Sequence, residues 1–328
     1  MSNPEPRVSI ILPFRNEERT IEQSVISIVE QDYAGWTEIL AINDGSKDKS
    51  VEILKRLKHR YDSIRLIETA GSGEAQARNA GVCASSGQVI VNFSAHAVAA
   101  GNFLRVLVSK LNELSLDVAG VGCKHKTFIG RGSSLAFGEA MRSAFGGYRT
   151  TYHQHETERF VESVAFTAYR ARVFATIGLF DPAMGEGADA EFNLRLGIAG
   201  YKLLYTPETN VYHLEVTSPR AFFAKLMRKG AARVKVIRKH PWSFRPLYAL
   251  PSVAVLALLL LAAGSIFHER LAIGLLGLVL IYASCSLFTA VRIIRRVRLK
   301  DPLRLMLAFP LIHVGYGLGF IKEMIWPS

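Results

Sequence analysis

Apolar and polar positions follow two different rhythms in the N-terminal part of the chain. Short apolar, β-branched runs are typical of buried strands, and the segments between them place apolar residues every three or four positions, as amphipathic helices do. Strands that alternate with helices indicate an α/β domain with a parallel, doubly wound sheet. We predict strands at residues 8–12, 39–43, 64–67 and 89–93 and helices at residues 16–31, 49–59 and 71–87.

The pattern is less regular after residue 94. Residues 130–151 are rich in Gly, Ser and Arg, which is typical of a mobile loop, here with a helix inside it. This half of the domain is expected to line the face opposite a nucleotide. We predict strands at residues 118–121, 164–169, 203–205 and 211–213 and a helix at residues 190–199.

Three long apolar segments follow near the C terminus. Residues 247–267 and 271–291 carry no charged side chain, and each is long enough to cross roughly 30 Å of hydrocarbon. Residues 305–321 are also uncharged but form a shorter run, which either crosses a membrane or lies in its interface. We therefore predict a multi-pass membrane protein. Residues 1–218 would form the α/β domain, residues 219–245 a basic amphipathic interfacial linker, and residues 246–328 the membrane region with two or three transmembrane helices.

The net charge of +12 is concentrated beside the apolar segments. Residues 220–245 contain nine Lys and Arg and no acid, and residues 292–304 contain six with one Asp, so these stretches sum to +14 and the remainder to about −2. Cytoplasmic loops are enriched in Lys and Arg. We therefore expect the α/β domain on the cytoplasmic side of the inner (plasma) membrane, in contact with anionic lipid. No basic, aromatic-bearing face indicates a nucleic-acid partner.

A candidate nucleotide site lies where the second predicted strand ends. Residues 43–46 read Asn-Asp-Gly-Ser, and an aspartate beside a glycine turn at the carboxyl end of a strand is where open α/β sheets hold nucleotides. Asp44 can accept a hydrogen bond from a base N–H. Ser46 can cap the following helix, whose N terminus favours anions. The alternative is that Asp44 only caps a helix.

Several segments in order resemble the family 2 inverting glycosyltransferases of the GT-A fold. They are VSIILPFRNEERTIEQSVISI, INDGSKDKSVEIL, AQARNAGVCASSGQVIVNFSAHA and the block at residues 160–207. The membrane tail, with HVGYGLGF, is similar to a branch of that family that takes part in succinoglycan synthesis. The resemblance implies a Rossmann-like GT-A domain followed by a C-terminal helical membrane anchor. It also implies a nucleoside-diphosphate sugar donor with UDP preferred, a polyprenyl-linked saccharide acceptor, and Mn²⁺ or Mg²⁺ as the cofactor.

The resemblance also implies roles for individual residues. Asp189 would be the catalytic base, Glu191 would orient Asp189 or bind the acceptor, and Arg228 would neutralise the leaving diphosphate. His96 and His213 would be metal ligands, since a ring nitrogen can bind a divalent ion. The implied nucleotide-binding residues are Pro13, Arg15, Glu17, Asp44, Arg78, Asn79 and Ser94.

The chain departs from the family pattern at three places. The family has an Asp-x-Asp triplet where this chain has Ser94-Ala95-His96, and an acidic or polar residue where it has Ala188. Lys225 stands where relatives carry a glutamine before the arginine. Simpler roles stay open for four residues. They are a surface salt bridge for Arg78, a helix cap for Asp189, a structural role for His213 and a lipid-facing role for Arg228.

The expected function is sugar transfer to a lipid-linked saccharide in exopolysaccharide or cell-surface glycan synthesis. Two alternatives stay open: transfer onto polyprenyl phosphate itself, and a nucleotide-binding pseudoenzyme that scaffolds a membrane glycan complex. A transporter is disfavoured, because the apolar segments are few and contain no ionisable pair.

Overall fold

The computed structural model describes residues 5–127, 133–147, 155–213, 218–299 and 301–327. The chain divides into two compact units. The first comprises Met1–Phe128 and Thr151–Leu214, and the second comprises Ile129–Thr150 and Glu215–Ser328. The first unit differs from the predicted domain of residues 1–218 mainly because residues 129–150 group with the C-terminal helices.

The first unit is built on one sheet. Its strands are β1 (Val8–Phe14), β2 (Thr37–Asn43), β3 (Ile64–Glu68), β4 (Val89–Asn92), β5 (Ala97–Ala99), β6 (Val118–Thr127), β7 (Arg159–Val161), β8 (Ala168–Arg170) and β9 (Lys202–His213). Their order is β3-β2-β1-β4-β8-β6-β9-β5, with β7 also paired to β9. β1 to β4 are parallel, as predicted. β8 is antiparallel to both β4 and β6, so the complete sheet is mixed.

Helices cover the sheet of the first unit. They are α1 (Ile21–Val29), α2 (Ser50–Arg60), α3 (Glu74–Ala84), α4 (Phe103–Glu113), α6 (Arg172–Ile177) and α7 (Ala188–Ile198). The core between sheet and helices is apolar; it includes Ile10 and Leu12 of β1, Val25 of α1 and Leu107 of α4, all fully buried. The predicted helical and strand periods therefore identified the buried faces correctly.

The predicted first helix starts at residue 16, but in the structure α1 begins only at Ile21. Asn16 has a φ of 57°, which a right-handed helix does not allow. Its backbone N–H donates to Ser46 Oγ at 3.1 Å, and its side-chain oxygen accepts from the Lys47 N–H at 2.8 Å. The prediction that Ser46 caps the second helix is therefore wrong, because its hydroxyl oxygen accepts from the loop after β1 and not from α2. Asp48 accepts the N–H of Ser50, the first residue of α2, instead.

The second half of the domain shows two further differences. The two short strands predicted at residues 203–205 and 211–213 are one continuous strand, β9, whose pairing with β6 shifts register between Cys123 and Lys124. The strand predicted at residues 164–169 is shorter, because Phe166 has a φ of 51° and β8 begins only at Ala168. An irregularity of this kind depends on pairing between distant segments.

The second unit is helical in its described part. It contains α5 (Ser133–Arg142), α8 (Pro219–Lys239), α9 (Pro246–Gly264), α10 (Glu269–Val297) and α11 (Pro302–Ile325). α5 confirms the helix predicted inside residues 130–151, and residues 128–132 and 148–154 of that segment lie outside the described residues. Three stretches are long and apolar enough to cross a membrane: Pro246–Ser265, Glu269–Val297 and Pro302–Ile325.

Candidate active site

Asp44 lies at the carboxyl end of β2, as predicted, and is 4% exposed. Its two carboxylate oxygens accept the Gly73 N–H at 3.3 and 3.1 Å, and one also accepts the Thr69 hydroxyl at 3.2 Å. Gly71 and Gly73 have φ values of 75° and 104°, a region that favours glycine. Asp44 therefore fixes the glycine turn that starts α3, and its contact with a base stays a prediction.

The turn after β1 holds the other residues predicted to surround the nucleotide. Pro13 is buried within β1, and Arg15 is exposed just after its end. The Glu17 backbone N–H donates to Ser50 Oγ at 2.8 Å, which ties this turn to the start of α2. Arg15 is therefore a freely accessible cation at the carboxyl edge of the sheet, where a nucleotide is expected.

Five side chains near the ends of β1, β4, β6 and β9 are joined by successive contacts, and we call Glu17, Ser94, His96, His125 and His213 the histidine cluster. The pairing of β5 with β9 sets Ala97 opposite His213, so His96 and His213 become neighbours. Their ring centroids are 4.6 Å apart. The two predicted metal ligands, which are separated by more than a hundred residues in the sequence, thus meet in the fold.

Hydrogen bonds fix the orientation of the His96 ring. Its Nδ1 lies 3.0 Å from Glu17 Oε1, and its Nε2 lies 3.1 Å from Ser94 Oγ. An ionised carboxylate only accepts, so the Nδ1–H of His96 donates to Glu17. Although burial opposes ionisation of Glu17, the hydrogen bond and charge of His96 hold the pKa of Glu17 below its usual value.

His125 belongs to the same cluster, and sequence reasoning missed it. It lies on β6 two residues before Thr127, which pairs with His213, and its ring centroid is 5.0 Å from that of His213. Phe166 packs against both His125 and His213. The predicted strand at residues 118–121 stops four positions before His125, whereas β6 continues to Thr127, so no sequence pattern marked this histidine.

The donor set of the histidine cluster fits a divalent ion in chemistry. Imidazole nitrogen suits Mn²⁺ and other transition ions, and a carboxylate that orients the distal ring nitrogen is the usual support of a histidine ligand. Within the described residues, no group of three or more His, Cys, Asp or Glu side chains is already arranged to hold a metal ion. His96 and His213 would therefore be two ligands of a site completed by other oxygen donors.

Asp189, the predicted base, is the second residue of α7 and lies in its first turn, as expected. Its Oδ1 accepts a hydrogen bond from Arg78 Nη1, and the Arg78 Nη2 lies 2.6 Å from Glu74 Oε1. We call Glu74, Arg78 and Asp189 the acid–arginine cluster. The Arg78 side chain is 12% exposed and that of Asp189 is 43% exposed. The interpretation of Arg78 as a simple surface salt bridge does not fit, because the arginine is largely buried and holds the predicted base.

Burial raises the pKa of the Asp189 carboxyl above its ordinary value. The Arg78 guanidinium opposes this rise, whereas the nearby Glu74 adds to it. A carboxylate with a raised pKa binds a proton more readily, which is the property that a general base needs. Asp189 therefore combines a partly exposed carboxylate, a hydrogen bond from Arg78 and a raised pKa.

Two predicted site residues have structural partners. The Asn79 side chain donates to the Phe180 carbonyl at 2.8 Å and accepts the Phe180 N–H at 3.0 Å, so it anchors the segment that leads to Asp189. Glu191 is fully buried, and both its oxygens lie 3.0 Å from Arg195 Nε. Direct acceptor binding by Glu191 is thus contradicted, because its carboxylate has no accessible surface. Asn79 thus holds the segment before α7, and Glu191 holds Arg195 within α7, the helix that carries Asp189.

Arg228, the third residue predicted for catalysis, belongs to the second unit. It lies on α8 and is exposed, one turn after Lys225. Its role toward a leaving diphosphate stays a prediction.

Comparisons with known proteins agree with this fold. Residues 9–178 match Glycosyl transferase family 2. A dolichyl N-acetyl-alpha-D-glucosaminyl phosphate 3-beta-D-2,3-diacetamido-2,3-dideoxy-beta-D-glucuronosyltransferase of Methanococcus voltae is 26% identical, with 97% of each chain aligned. The succinoglycan biosynthesis protein ExoA of Rhizobium meliloti is 21% identical, with 96% of this chain and 94% of that protein aligned.

Among solved structures, the mannosyltransferase PcManGT from Pyrobaculum calidifontis, in complex with GDP-Man and Mn²⁺, has a TM-score of 0.67 at 18% identity. The alignment covers 98% of this chain and 88% of that one. The predicted GT-A fold and the similarity to a succinoglycan glycosyltransferase are thereby confirmed. Since the family match spans residues 9–178 of 328, more than half of the chain, this protein is a glycosyltransferase that belongs to glycosyl transferase family 2.

Proposed function

We propose that this protein is a membrane-anchored inverting glycosyltransferase that moves a sugar from a nucleoside-diphosphate donor, preferably a UDP-sugar, to a lipid-linked saccharide. The observation that carries the proposal is Asp189, a partly exposed carboxylate at the start of α7 that Arg78 holds from one side. A single displacement needs one base, and Asp189 supplies it. The pathway is exopolysaccharide or cell-surface glycan synthesis, in line with the relationship to ExoA.

The proposed reaction is a single in-line displacement. The acceptor hydroxyl oxygen attacks the anomeric carbon while the bond from that carbon to the diphosphate oxygen breaks, and its electron pair leaves with the diphosphate. Asp189 takes the hydroxyl proton as the new glycosidic bond forms. Arg78 contacts Oδ1 of Asp189, so Oδ2 is the atom proposed to receive the proton. The anomeric configuration is inverted, because no covalent enzyme intermediate precedes the attack.

The histidine cluster would hold the Mn²⁺ or Mg²⁺ cofactor through His96 and His213. Such an ion supplies Lewis-acid stabilisation of the negative charge that develops on the leaving diphosphate. Glu17 orients the His96 ring. The Ser94 hydroxyl lies beside His96 Nε2 and could instead form a hydrogen bond with the ribose of the donor. The Mn²⁺ in the structurally similar mannosyltransferase supports a divalent ion here. Two imidazole ligands favour Mn²⁺ over Mg²⁺.

The position of β8 supports a common site for the two clusters. Phe166, just before β8, packs on His125 and His213. Tyr169 in β8 is fully buried. Burial raises the pKa of its hydroxyl, and the negative charge of the nearby Asp189 carboxylate raises that pKa further. These residues are three positions apart, so their Cα atoms are separated by at most about 11 Å.

The second unit supports a membrane location. Three helices have the length and composition of membrane spans, and the Lys and Arg that flank them favour the cytoplasmic side. A cytoplasmic site beside the inner membrane meets both soluble nucleotide-sugar and a polyprenyl-linked acceptor that stays in the bilayer. Under this proposal residues 219–245 form the link between the catalytic domain and the anchor, and Arg228 on this link is the residue proposed to neutralise the leaving diphosphate.

The test uses membranes that contain the full chain. UDP- and GDP-sugars are offered with and without Mn²⁺, together with a polyprenyl-diphosphate saccharide or with polyprenyl phosphate. We expect release of the nucleoside diphosphate and an elongated glycan lipid with inverted linkage, with Asp189→Asn inactive and the exposed neighbour Glu186→Gln active. A sugar-monophosphate lipid as the product would replace the acceptor proposed here. No nucleotide release from any donor would support the scaffold alternative.

A further inference from the structure

The last apolar helix, α11, differs from the two before it in how much of it the protein covers. Half of its most apolar stretch is buried within the protein, against 17% for α9 and 6% for α10. Large side chains of α9 and α10 such as Leu260, Ile273 and Ile281 are more than 60% exposed, as expected for helices surrounded by lipid. α11 is therefore a packed helix although its composition alone permits a crossing.

The first half of α11 contacts the end of α10. Leu305, Phe309 and Ile312 form one buried cluster with Ala290 and Ile293, which lie in the last two turns of α10. Those turns themselves carry Arg292, Arg295 and Arg296. This half of α11 thus lies where α10 emerges toward the basic side.

The second half of α11 contacts the beginning of α9. Tyr316 and Phe320 pack with Ala249, which lies in the first turn of α9. A Cβ on Gly317 would approach the Pro251 carbonyl oxygen to 2.8 Å, so α9 and α11 touch closely there. The beginning of α9 and the end of α10 lie on the same side of a helical hairpin. Both halves of α11 therefore reach the same side.

The deepest contact is at the centre of α11. His313 Nδ1 lies 2.8 Å from Tyr282 Oη, and Tyr282 belongs to the middle of α10. Pro310 lies inside α11 three residues earlier. A helix whose two halves reach the same side does not cross; it lies along the boundary of headgroups and acyl chains, with its centre further into the acyl chains than its ends.

α8 adds an electrostatic argument. It carries eight Lys and Arg and no acidic residue over Pro219–Lys239. α8 and α11 pack backbone to backbone: a Cβ on Gly319 would lie 2.0 Å from the Met227 carbonyl oxygen, and one on Gly230 would lie 2.2 Å from that of Tyr316. Each Lys or Arg at the centre of a membrane span costs about 2.5–3.5 kcal/mol on insertion scales. Eight such residues exclude α8 from the interior of the membrane. Since α11 packs along α8, α11 also stays at the membrane surface.

The C-terminal end of α11 is joined to the same helix. Glu323 is 3% exposed and lies 3.7 Å from Arg238, whose guanidinium also donates to the Met324 carbonyl at 2.9 Å. Arg238 is in the last turn of α8, only a few residues before α9 begins. The end of α11 therefore lies at the level where the chain enters α9.

We propose that, among the described helices, only α9 and α10 cross the membrane, and that α11 lies in the plane of the cytoplasmic leaflet joined to α8. The two helices together form a platform whose apolar residues face the acyl chains and whose eight α8 cations meet anionic lipid headgroups. The C terminus is then on the same side as α8. The inference rests on the proposed membrane location and extends it to a defined topology.

Single-cysteine labelling tests this topology in the full chain in intact cells, with Cys83→Ser and Cys285→Ser as the background and the buried Cys123 retained. An impermeant maleimide is applied to His268→Cys, in the turn between α9 and α10, to Trp242→Cys before α9, and to Trp326→Cys after α11. Both tryptophans are more than 60% exposed. We expect at least tenfold more labelling of His268→Cys than of the other two, and equal labelling of all three after the membrane is permeabilised.

Each outcome has one meaning. Labelling of Trp326→Cys from outside, with Trp242→Cys protected, shows that α11 crosses and overturns the inference while the proposed function stands. Labelling of Trp242→Cys from outside contradicts the proposed orientation instead. Ile325→Cys, which is also exposed, serves as a second position if Trp326→Cys is not produced.

A glycine substitution tests the joint between the two helices. Gly319→Leu forces α11 away from Met227, so we expect a several-fold rise in trypsin cleavage at the α8 cations in permeabilised cells. Gly274→Leu is the matched control, because a Cβ on Gly274 of α10 meets no atom within 4 Å. Equal cleavage in both variants would contradict the close pairing of α8 with α11.

Discussion

The histidine cluster and the acid–arginine cluster are assembled by different kinds of contact. In the histidine cluster, the register of β9 with β5 and β6 brings His96, His125 and His213 together. In the acid–arginine cluster, Arg78 of α3 reaches Asp189 of α7, and the junction is one ion pair. Strand ladders fix the first set of side chains through the backbone, whereas the second set depends on two side chains.

This difference has a chemical consequence. Ring nitrogens held by a sheet keep their positions before a cation arrives, so little ordering entropy is lost on binding. An ion pair whose carboxylate is 43% exposed can open when an acceptor or a diphosphate competes for either partner. We therefore expect the histidine cluster to act as a fixed ligand set and Asp189 to act as an adjustable base.

The largest expected effect comes from removing the base. Asp189→Asn keeps the shape of the side chain but cannot take the acceptor proton, so kcat should fall about 10²–10⁴-fold. Donor binding, measured by calorimetry with the nucleoside diphosphate, should change little. Glu186→Gln, three residues earlier in the chain, should retain activity. If Asp189→Asn turns over as fast as the unaltered protein, the base lies elsewhere.

The next effect concerns the metal ligands. Loss of a residue that only supports a metal ligand weakens metal binding about 10–100-fold. His96→Ala combined with His213→Ala removes the ligands themselves, so we expect a larger loss of Mn²⁺ affinity. The measurement is a Mn²⁺ titration followed by electron paramagnetic resonance, which does not depend on turnover. His59→Ala on the exposed face of α2 is the control. Unchanged Mn²⁺ affinity would separate the histidine cluster from the metal.

A smaller effect is expected when only the orientation of His96 is disturbed. Glu17→Gln preserves an acceptor for Nδ1 but removes the negative charge, so Mn²⁺ affinity should drop about tenfold. The same titration measures it, with Glu22→Gln as a control because the Glu22 side chain is half exposed and pairs with Arg56 on the surface. If Glu17→Gln binds Mn²⁺ normally but loses nucleotide affinity, Glu17 contacts the donor as first predicted.

The smallest effect is a shift in pH dependence. Asp189 must be ionised to act as a base, so activity should be present above its pKa and fall as the pH drops through that value. Burial raises this pKa and Arg78 lowers it. Arg78→Met should therefore move the acidic limb of the kcat/KM profile to higher pH. Lys124→Met, which removes an ion pair to Glu156, should leave that limb in place, and a shift to lower pH in Arg78→Met would refute the proposed coupling.

Several parts of the site followed from sequence because they depend on local order. Asp44 follows an apolar run and Asp189 begins a helical one, and both lie where those patterns put them. His96 and His213 were identified through resemblance to a family, and the β5–β9 register shows why they meet. His125 was missed, because the sequence around it contains no turn or motif that marks a site.

Other residues have partners that the sequence did not indicate. Glu191 lies two positions after Asp189, and that proximity favoured a shared role, yet a helical turn directs Glu191 into the core beside Arg195. Asn79 follows Arg78 directly but binds the Phe180 backbone. In a helix, adjacent positions point in different directions, so neighbours in sequence seldom share a site.

The amino-acid sequence by itself determined which faces of the strands and helices are buried, where the strands end, and which segments are apolar enough for a membrane. These properties depend on neighbours a few positions apart, and periodicity records them. Only the tertiary structure decided four features: the antiparallel pairing of β8, the contacts among three histidines, the contact of Arg78 with Asp189, and the packing of α11 on α8. Each of these joins segments far apart in the chain, and the partner of a strand or a glycine is chosen by register and close approach, which no local pattern encodes.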